Sequence, residues 1–419
     1  MSDLIITGGT VLTTDGPIRT DLRITDDRVS EIGQGLEASN VIDANEAWVG
    51  PGLVDMHSHL RDPGQDWKED IATGTGAAAV GGYTAVLAMP NTIPVVDNAQ
   101  IALYVSERGR RVGSADVYPS GCLTMGGDGE RMAHIDEMWD AGVRVFTDDG
   151  TSVESAAVLR LAMEYIANLG GLVAQHAVDG AMSAHGYMHE GSVSSRLGMH
   201  GIPSEAEEIV ISRDLALVRL TGVSYHVQHL SSMVGVGLIR QAKADGLPVT
   251  AEVTPHHLVF DHTDVASTDA DFKMMPPLRS AEDRDALVLG LQDGTIDIVA
   301  TDHAPHAPRE KEVPFEHAPN GVIGLEWAAS VTNSVIGDDQ VRFFAALSSS
   351  PARIAQITDH GHAITIGSTA NLVVFDPTER WTPTDSVSRS RNAPYFGREL
   401  IGRVRATVRA GQLTHGSTA

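Results

Sequence analysis

The chain has 419 residues, 42% of them hydrophobic and 5% aromatic, with 42 glycines and a single cysteine, Cys122. That mix suits a turn-rich α/β protein with a sizeable core, and excludes a fibrous or disordered chain, an internal disulfide and a cysteine-rich metal knuckle. Acidic residues outnumber Lys and Arg by 55 to 30, a formal net charge of −25, so nucleic acid is excluded as a partner, and the excess suits a salt-adapted surface as well as an ordinary acidic one.

The first residues carry no basic segment followed by an apolar run, and no stretch of about 18 apolar residues occurs, so no membrane contact and a cytoplasmic location are expected. Residues 1–48 hold short alternating segments at 4–13, 21–33 and 41–49, punctuated by turns. Residues 363–419 behave alike. A small β-sandwich built from both termini is the expectation.

The middle, 49–362, carries eight apolar runs that end in polar, chemically capable residues: 53–59, 84–91, 116–124, 143–149, 172–177, 223–231, 248–257 and 297–303. Helix-like segments such as 155–171 lie between them, with apolar residues three or four apart and a closing glycine pair. Eight strands alternating with helices make a TIM (β/α)8 barrel, whose active site lies at the C-terminal ends of the strands. The polar residues fall there.

His57 and His59 alternate after a buried-strand pattern, so both imidazoles can face one ion. Taken alone, His-x-His suits two half-exposed histidines better than a ligand pair, and its position at a strand end before a Gly/Pro loop strengthens the ligand reading. His176 and His229 end two further runs, Asp148 and Asp149 close a fourth, and Asp302 with His303 closes the last. A carboxylate buried at a barrel mouth is costly without a cation. Four histidines and two carboxylates suit a pair of zinc ions bridged by a carboxylate and hydroxide.

In order along the chain stand HSHLRDPG, AMPNT, FTDDG, AQHA, VQHLSS, AEVTPHHL, PPLRS and ATDHAPH. This series resembles the bacterial class I dihydroorotases of the amidohydrolase superfamily over nearly the whole chain. The resemblance implies two Zn2+ per chain: His57, His59 and Asp302 on one, His176 and His229 on the other, Asp149 bridging both. Asp148 is the rival for that bridge, and the family's spacing to His176 prefers Asp149. Related hydantoinases and allantoinases bridge their metals with a carbamylated lysine. Arg144 stands where such a lysine is expected, and a guanidinium cannot be carbamylated.

Arg61, Asn91 and His306 are expected to hold a substrate carboxylate, which gives an acidic protein a local anion site; for Arg61 a surface salt bridge to Asp62 or Asp66 is the plainer alternative. Met275 stands where the family has an asparagine against the pyrimidine ring, and a thioether is a poor substitute. Asn320 replaces a bulky apolar residue beside Gly321, whose backbone contacts would survive. His256 and His257 are expected to be structural, and His185, His189 and His200 solvated or packed. The implied function is reversible conversion of N-carbamoyl-L-aspartate to L-dihydroorotate in pyrimidine biosynthesis, with Asp302 as acid and base. A hydantoinase- or allantoinase-like ring amidase is the alternative, and an inactive scaffold for aspartate transcarbamoylase a third reading. A homodimer and association with aspartate transcarbamoylase are the assemblies in view.

Overall fold

The strands at the two ends of the chain meet in one sheet. The computed structural model describes residues 3–418. Its early strands are β1 (Asp3–Thr13), β2 (Gly16–Thr25), β3 (Arg28–Gly33), β4 (Asn40–Asp43) and β5 (Trp48–Pro51). β1 pairs with β2 along one edge, while its other edge is shared between β4 and β5. β5 runs antiparallel to a late strand, Leu372–Trp381, which continues to Leu400–Arg409 and Gln412–His415. The strands from both termini thus join one continuous eight-stranded sheet that forks at β1. Alternate residues such as Leu22, Ile24, Val374 and Val408 bury a core separate from the rest of the molecule. The chain leaves this sheet at Pro51 and rejoins its core at Ile364, which bridges Thr13.

Each of the eight apolar runs contains a parallel strand. β6 (Leu53–Ser58), β7 (Tyr83–Ala88) and β8 (Asp116–Pro119) form one arc. β9 (Val145–Phe146), β10 (Leu172–Gln175) and, beyond a small ribbon of β11 (Met188–His189) and β12 (Gly201–Ile202), β13 (Ser224–Val227), β14 (Val249–Val253) and β15 (Ile298–Val299) form a second. Isolated parallel bridges Gly121↔Phe146 and Ser58↔His303 connect the arcs at both seams. The buried Asp55 carboxylate reinforces the second seam by accepting from the Thr301 amide at 2.8 Å and hydroxyl at 2.7 Å. Val54, Met56, Leu87, Leu172 and Ala300 share one apolar cluster, which Ile354 and Ile357 close from a C-terminal helix and turn.

Helices cover the outside. The segment at 155–171 forms Ala156–Leu169, capped by Ser155 and ended by Gly170 in the left-handed conformation, with Leu159, Ala162, Met163 and Ile166 inward. Among the described residues no helix is long and apolar enough to cross a membrane.

Candidate active site

Strand ends on both arcs deliver the site. His57 is the penultimate residue of β6 and His59 comes just after it; Asp149, His176, His229 and Asp302 lie just beyond β9, β10, β13 and β15. All six are buried. His57 Nε2 lies 3.2 Å from Asp149 Oδ1 and 3.5 Å from Asp302 Oδ1; His59 Nε2 lies 3.0 Å from Asp302 Oδ1 and 3.3 Å from Asp149 Oδ2. His176 Nδ1 and His229 Nε2 stand 3.8 and 3.9 Å from Asp149 Oδ1 and 2.7 Å from each other. Asp149 thus sits between two histidine pairs.

The electrostatics fit a cation. His57 Nε2 and Asp149 Oδ1 are buried without a hydrogen-bond partner among the described residues, and two ligand triads fall within metal-binding separation, His57–His59–Asp302 and His57–Asp149–His229. Burial opposes ionisation of Asp149, but the neighbouring histidines, His57 foremost, hold its carboxyl well below the usual range. Burial, then His176 and His57, push His229 down to about 3, which keeps a neutral imidazole available as a ligand.

The backbone is bent to aim these groups. Arg61, His229 and Asp302 have φ of 59°, 32° and 43°, the left-handed region that a side chain rarely adopts. Three such residues in one cleft place local strain at the site.

Asp148 faces away from the cluster. Its Oδ1 accepts from the amides of Leu123 (2.8 Å) and Thr124 (3.1 Å), and the Thr124 hydroxyl donates to Oδ2. Arg144 corrects a further expectation: it sits at the start of β9, stacked 4.0 Å from the Trp139 ring and donating to the carbonyls of Trp139 and Val143. Its side chain is bound to that end of the strand, so the residue presented to the histidines is Asp149. Among the described residues no lysine lines the cleft.

The cleft, about 510 Å³, runs from the cluster past Arg61, Asn91, Met275, His306, Asn320 and Gly321. Arg61 is buried and has no ion pair among the described residues; its Nε donates to Pro305 O at 3.3 Å, and burial pushes its pKa to about 10. Asp62, its alternative partner, instead accepts from Tyr104 and pairs with Arg108. Asn91 is already engaged: Oδ1 accepts from His59 Nδ1 at 2.9 Å and Nδ2 donates to Asp149 O at 3.1 Å. His306 is engaged at both nitrogens, Nε2 donating to Asn320 O at 2.8 Å and Nδ1 accepting from Lys68 at 3.3 Å. Burial, then Arg61 and Lys68, push it down to about 2, so the ring is neutral.

Several partners escape the sequence. Glu252, in β14, accepts from His57 Nδ1 at 2.5 Å, from His226 Nε2 at 3.1 Å and from the His229 amide at 3.1 Å. An acid inside a largely apolar strand was its one signal. Asn392, from the distant C-terminal region, accepts from the His306 amide at 3.0 Å and donates to Ala304 O and Gly321 O, both at 3.0 Å. His257 donates to Pro276 O at 3.1 Å, and His256 is buried outside both triads. His185 and His200 are exposed and His189 is half-buried.

A family model described as Dihydro-orotase-like matches residues 48–234. The chain is 44% identical to a dihydroorotase of Anaeromyxobacter dehalogenans, covering 99% of this chain and 98% of that protein. It is also 44% identical to the dihydroorotase of Mycobacterium leprae, with 94% and 95% covered. Among solved structures it is similar to the L-hydantoinase (dihydropyrimidinase) of Arthrobacter aurescens, with TM-score 0.88, 25% identity, and 100% and 97% covered. The dihydropyrimidinase of Brevibacillus agri gives TM-score 0.85 and 25% identity over 99% and 95%. The backbone is thus shared with hydantoinases, while identity over nearly the full length lies with dihydroorotases.

Proposed function

The chain belongs to the dihydroorotase family, and from that membership we propose that it interconverts N-carbamoyl-L-aspartate and L-dihydroorotate in pyrimidine biosynthesis at the histidine–aspartate cluster. The observation that carries this reading is Arg61, a buried guanidinium without a carboxylate partner, lining the same cleft as Asp149 and Asp302. Taking a cation out of water is costly, and a bound anion offsets that cost. The carboxylate shared by both compounds does so through paired hydrogen bonds.

We also infer that the two parallel arcs form one closed (β/α)8 barrel, with the terminal sheet as a second domain. The bridges at both seams support closure, and the cluster then lies at the mouth where such barrels carry their chemistry.

His57, His59 and Asp302 would hold one zinc ion and His176 and His229 the other, with Asp149 between them; the orphaned His57 Nε2 and Asp149 Oδ1 fit that role. When bound, the zinc pair supplies an activated water and polarises the ring carbonyl. In the hydrolytic direction the water oxygen bonds to the amide carbon and the carbon–nitrogen bond of the ring breaks. Asp302 takes the proton from the attacking water and returns it to the leaving nitrogen. Arg61 fixes the carboxylate end of the substrate, and Asn91 keeps the His59 ring turned toward Asp302. Ring closure runs through the same residues in reverse.

Met275 favours a second reading, a ring amidase acting on uncharged hydantoins, because it lines the cleft where an amide contact to the pyrimidine ring is expected. Arg61→Met separates the two. Loss of a charge-assisted contact should lower kcat/KM for dihydroorotate by roughly 10- to 150-fold and leave hydantoin turnover nearly unchanged. Equal loss on both substrates would make Arg61 a structural residue, and a wild-type preference for hydantoin would favour the second reading.

A further inference from the structure

Four lysines occur in the chain, Lys68, Lys243, Lys273 and Lys311. Three of them are buried around the segment that carries His306 and Asn320. Lys68 donates to His306 Nδ1 and pairs with Glu310 at 3.3 Å. Lys273 donates to the carbonyls of Phe315 at 2.7 Å and Glu316 at 3.0 Å. Lys311 donates to Pro319 O at 3.1 Å, Gly321 O at 3.0 Å and Lys273 O at 3.4 Å. No carboxylate pairs with Lys311 among the described residues, and burial pushes its pKa down to about 8. An ammonium taken out of water without a counter-charge is costly, and here backbone carbonyls take the place of its water.

Two of those carbonyls have other donors. Lys273 O also accepts from Gly321 N at 2.9 Å, and Gly321 O from Asn392 Nδ2 at 3.0 Å. Pro319 O has no second donor among the described residues. The next carbonyl along, that of Asn320, is the one that holds His306 Nε2. Gly321 comes next with φ 139°, where an added Cβ would stand 2.7 Å from Ala304 O, so this backbone path admits no other residue without displacement.

We propose that Lys311 is a positioning residue for substrate binding: its ammonium fixes the Pro319–Asn320–Gly321 backbone, and through the Asn320 carbonyl it sets the His306 ring in the cleft. The inference rests on the reading that dihydroorotate occupies this cleft. Lys311 itself does not line it, so its influence on substrate passes through the loop. The metal cluster, held by other elements, stays intact without it.

The test uses the zinc-loaded full-length protein. Lys311→Met should raise KM for dihydroorotate roughly tenfold or more, with kcat within about threefold and metal content unchanged. Lys311→Arg, which keeps the charge and several donors, should recover part of the loss. Unchanged KM in a folded, metal-replete Lys311→Met protein would overturn the proposal, as would a fall in kcat without a rise in KM. If Lys311→Met does not fold, Lys311→Gln, which keeps one shorter donor, gives the same KM reading; failure of both to fold would make the lysine a folding residue and also overturn the proposal. Wild-type protein without dihydroorotase activity would sink the underlying reading instead, which separates the two failures.

Discussion

Glu252 Oε1 stands 2.5 Å from His57 Nδ1, a contact between two fully buried side chains from β14 and β6, which lie in different arcs. The carboxylate fixes the tautomer that leaves His57 Nε2 free to face Asp149. Partners of this kind typically govern metal affinity by 10- to 100-fold. Glu252→Gln should therefore weaken zinc binding by roughly that factor, measured by competition with a chromophoric chelator, and excess zinc should restore much of the activity. Unaltered affinity would reduce Glu252 to a packing role.

The two neighbouring aspartates should separate cleanly. Asp149→Ala is expected to lose metal and activity together, as is His57→Ala. Asp148→Asn should keep its zinc, because Asp148 accepts from Leu123 and Thr124 rather than facing the histidines. An amide group facing those donors should cost about 1–3 kcal/mol of stability. Metal analysis beside denaturant unfolding checks both, and zinc loss from the Asp148 variant would reverse the assignment.

Asp302→Asn should reduce kcat by at least about 100-fold, the usual worth of a positioned acid and base. Burial opposes ionisation of Asp302, but His57 and His59 hold its carboxyl well below the usual carboxylate range, so the loss should appear at every pH between about 6 and 9 rather than as a shifted acidic limb. A variant with near-normal turnover across that range would leave Asp302 as a ligand only.

His189 should make stability depend on pH. Burial first, then Arg279 and His262, push it down to about 4, against the opposing Asp283 and Glu205. Between its ordinary value near 6.5 and about 4, the unfolded chain takes up a proton that the folded chain refuses, so stability falls as pH falls through that window. His189→Gln should flatten that part of the curve, read from urea midpoints at pH 7, 6, 5 and 4. An identical slope in both proteins would place the acid sensitivity elsewhere.

Much of this site was legible because its chemistry recurs at one place in a repeated unit. His57, His59, Asp149, His176, His229 and Asp302 all close apolar runs, and parallel strands deliver the residues at their C-terminal ends to one side of a sheet. Groups that reach the site from the side leave no such mark. Glu252, Lys68, Lys311 and Asn392 act through contacts between segments far apart in the chain, and neither period nor neighbours announce them. Arg144 shows the opposite error: it stood near the right position in the sequence, but a strand separates its two ends in space, and the side chain lies at the wrong one. Terminal alternation likewise revealed strands without revealing that β1 shares one edge between two partners.

The pairing of Pro51 with Leu372 also has a consequence for biosynthesis. During vectorial synthesis β1 to β5 emerge first, yet β5 waits for a strand made more than three-quarters of the way along the chain. Asn392, which ties His306 to Gly321, arrives later still. The nascent chain carries the clustered histidines well before it can finish this corner of the cleft, which awaits the C-terminal segment.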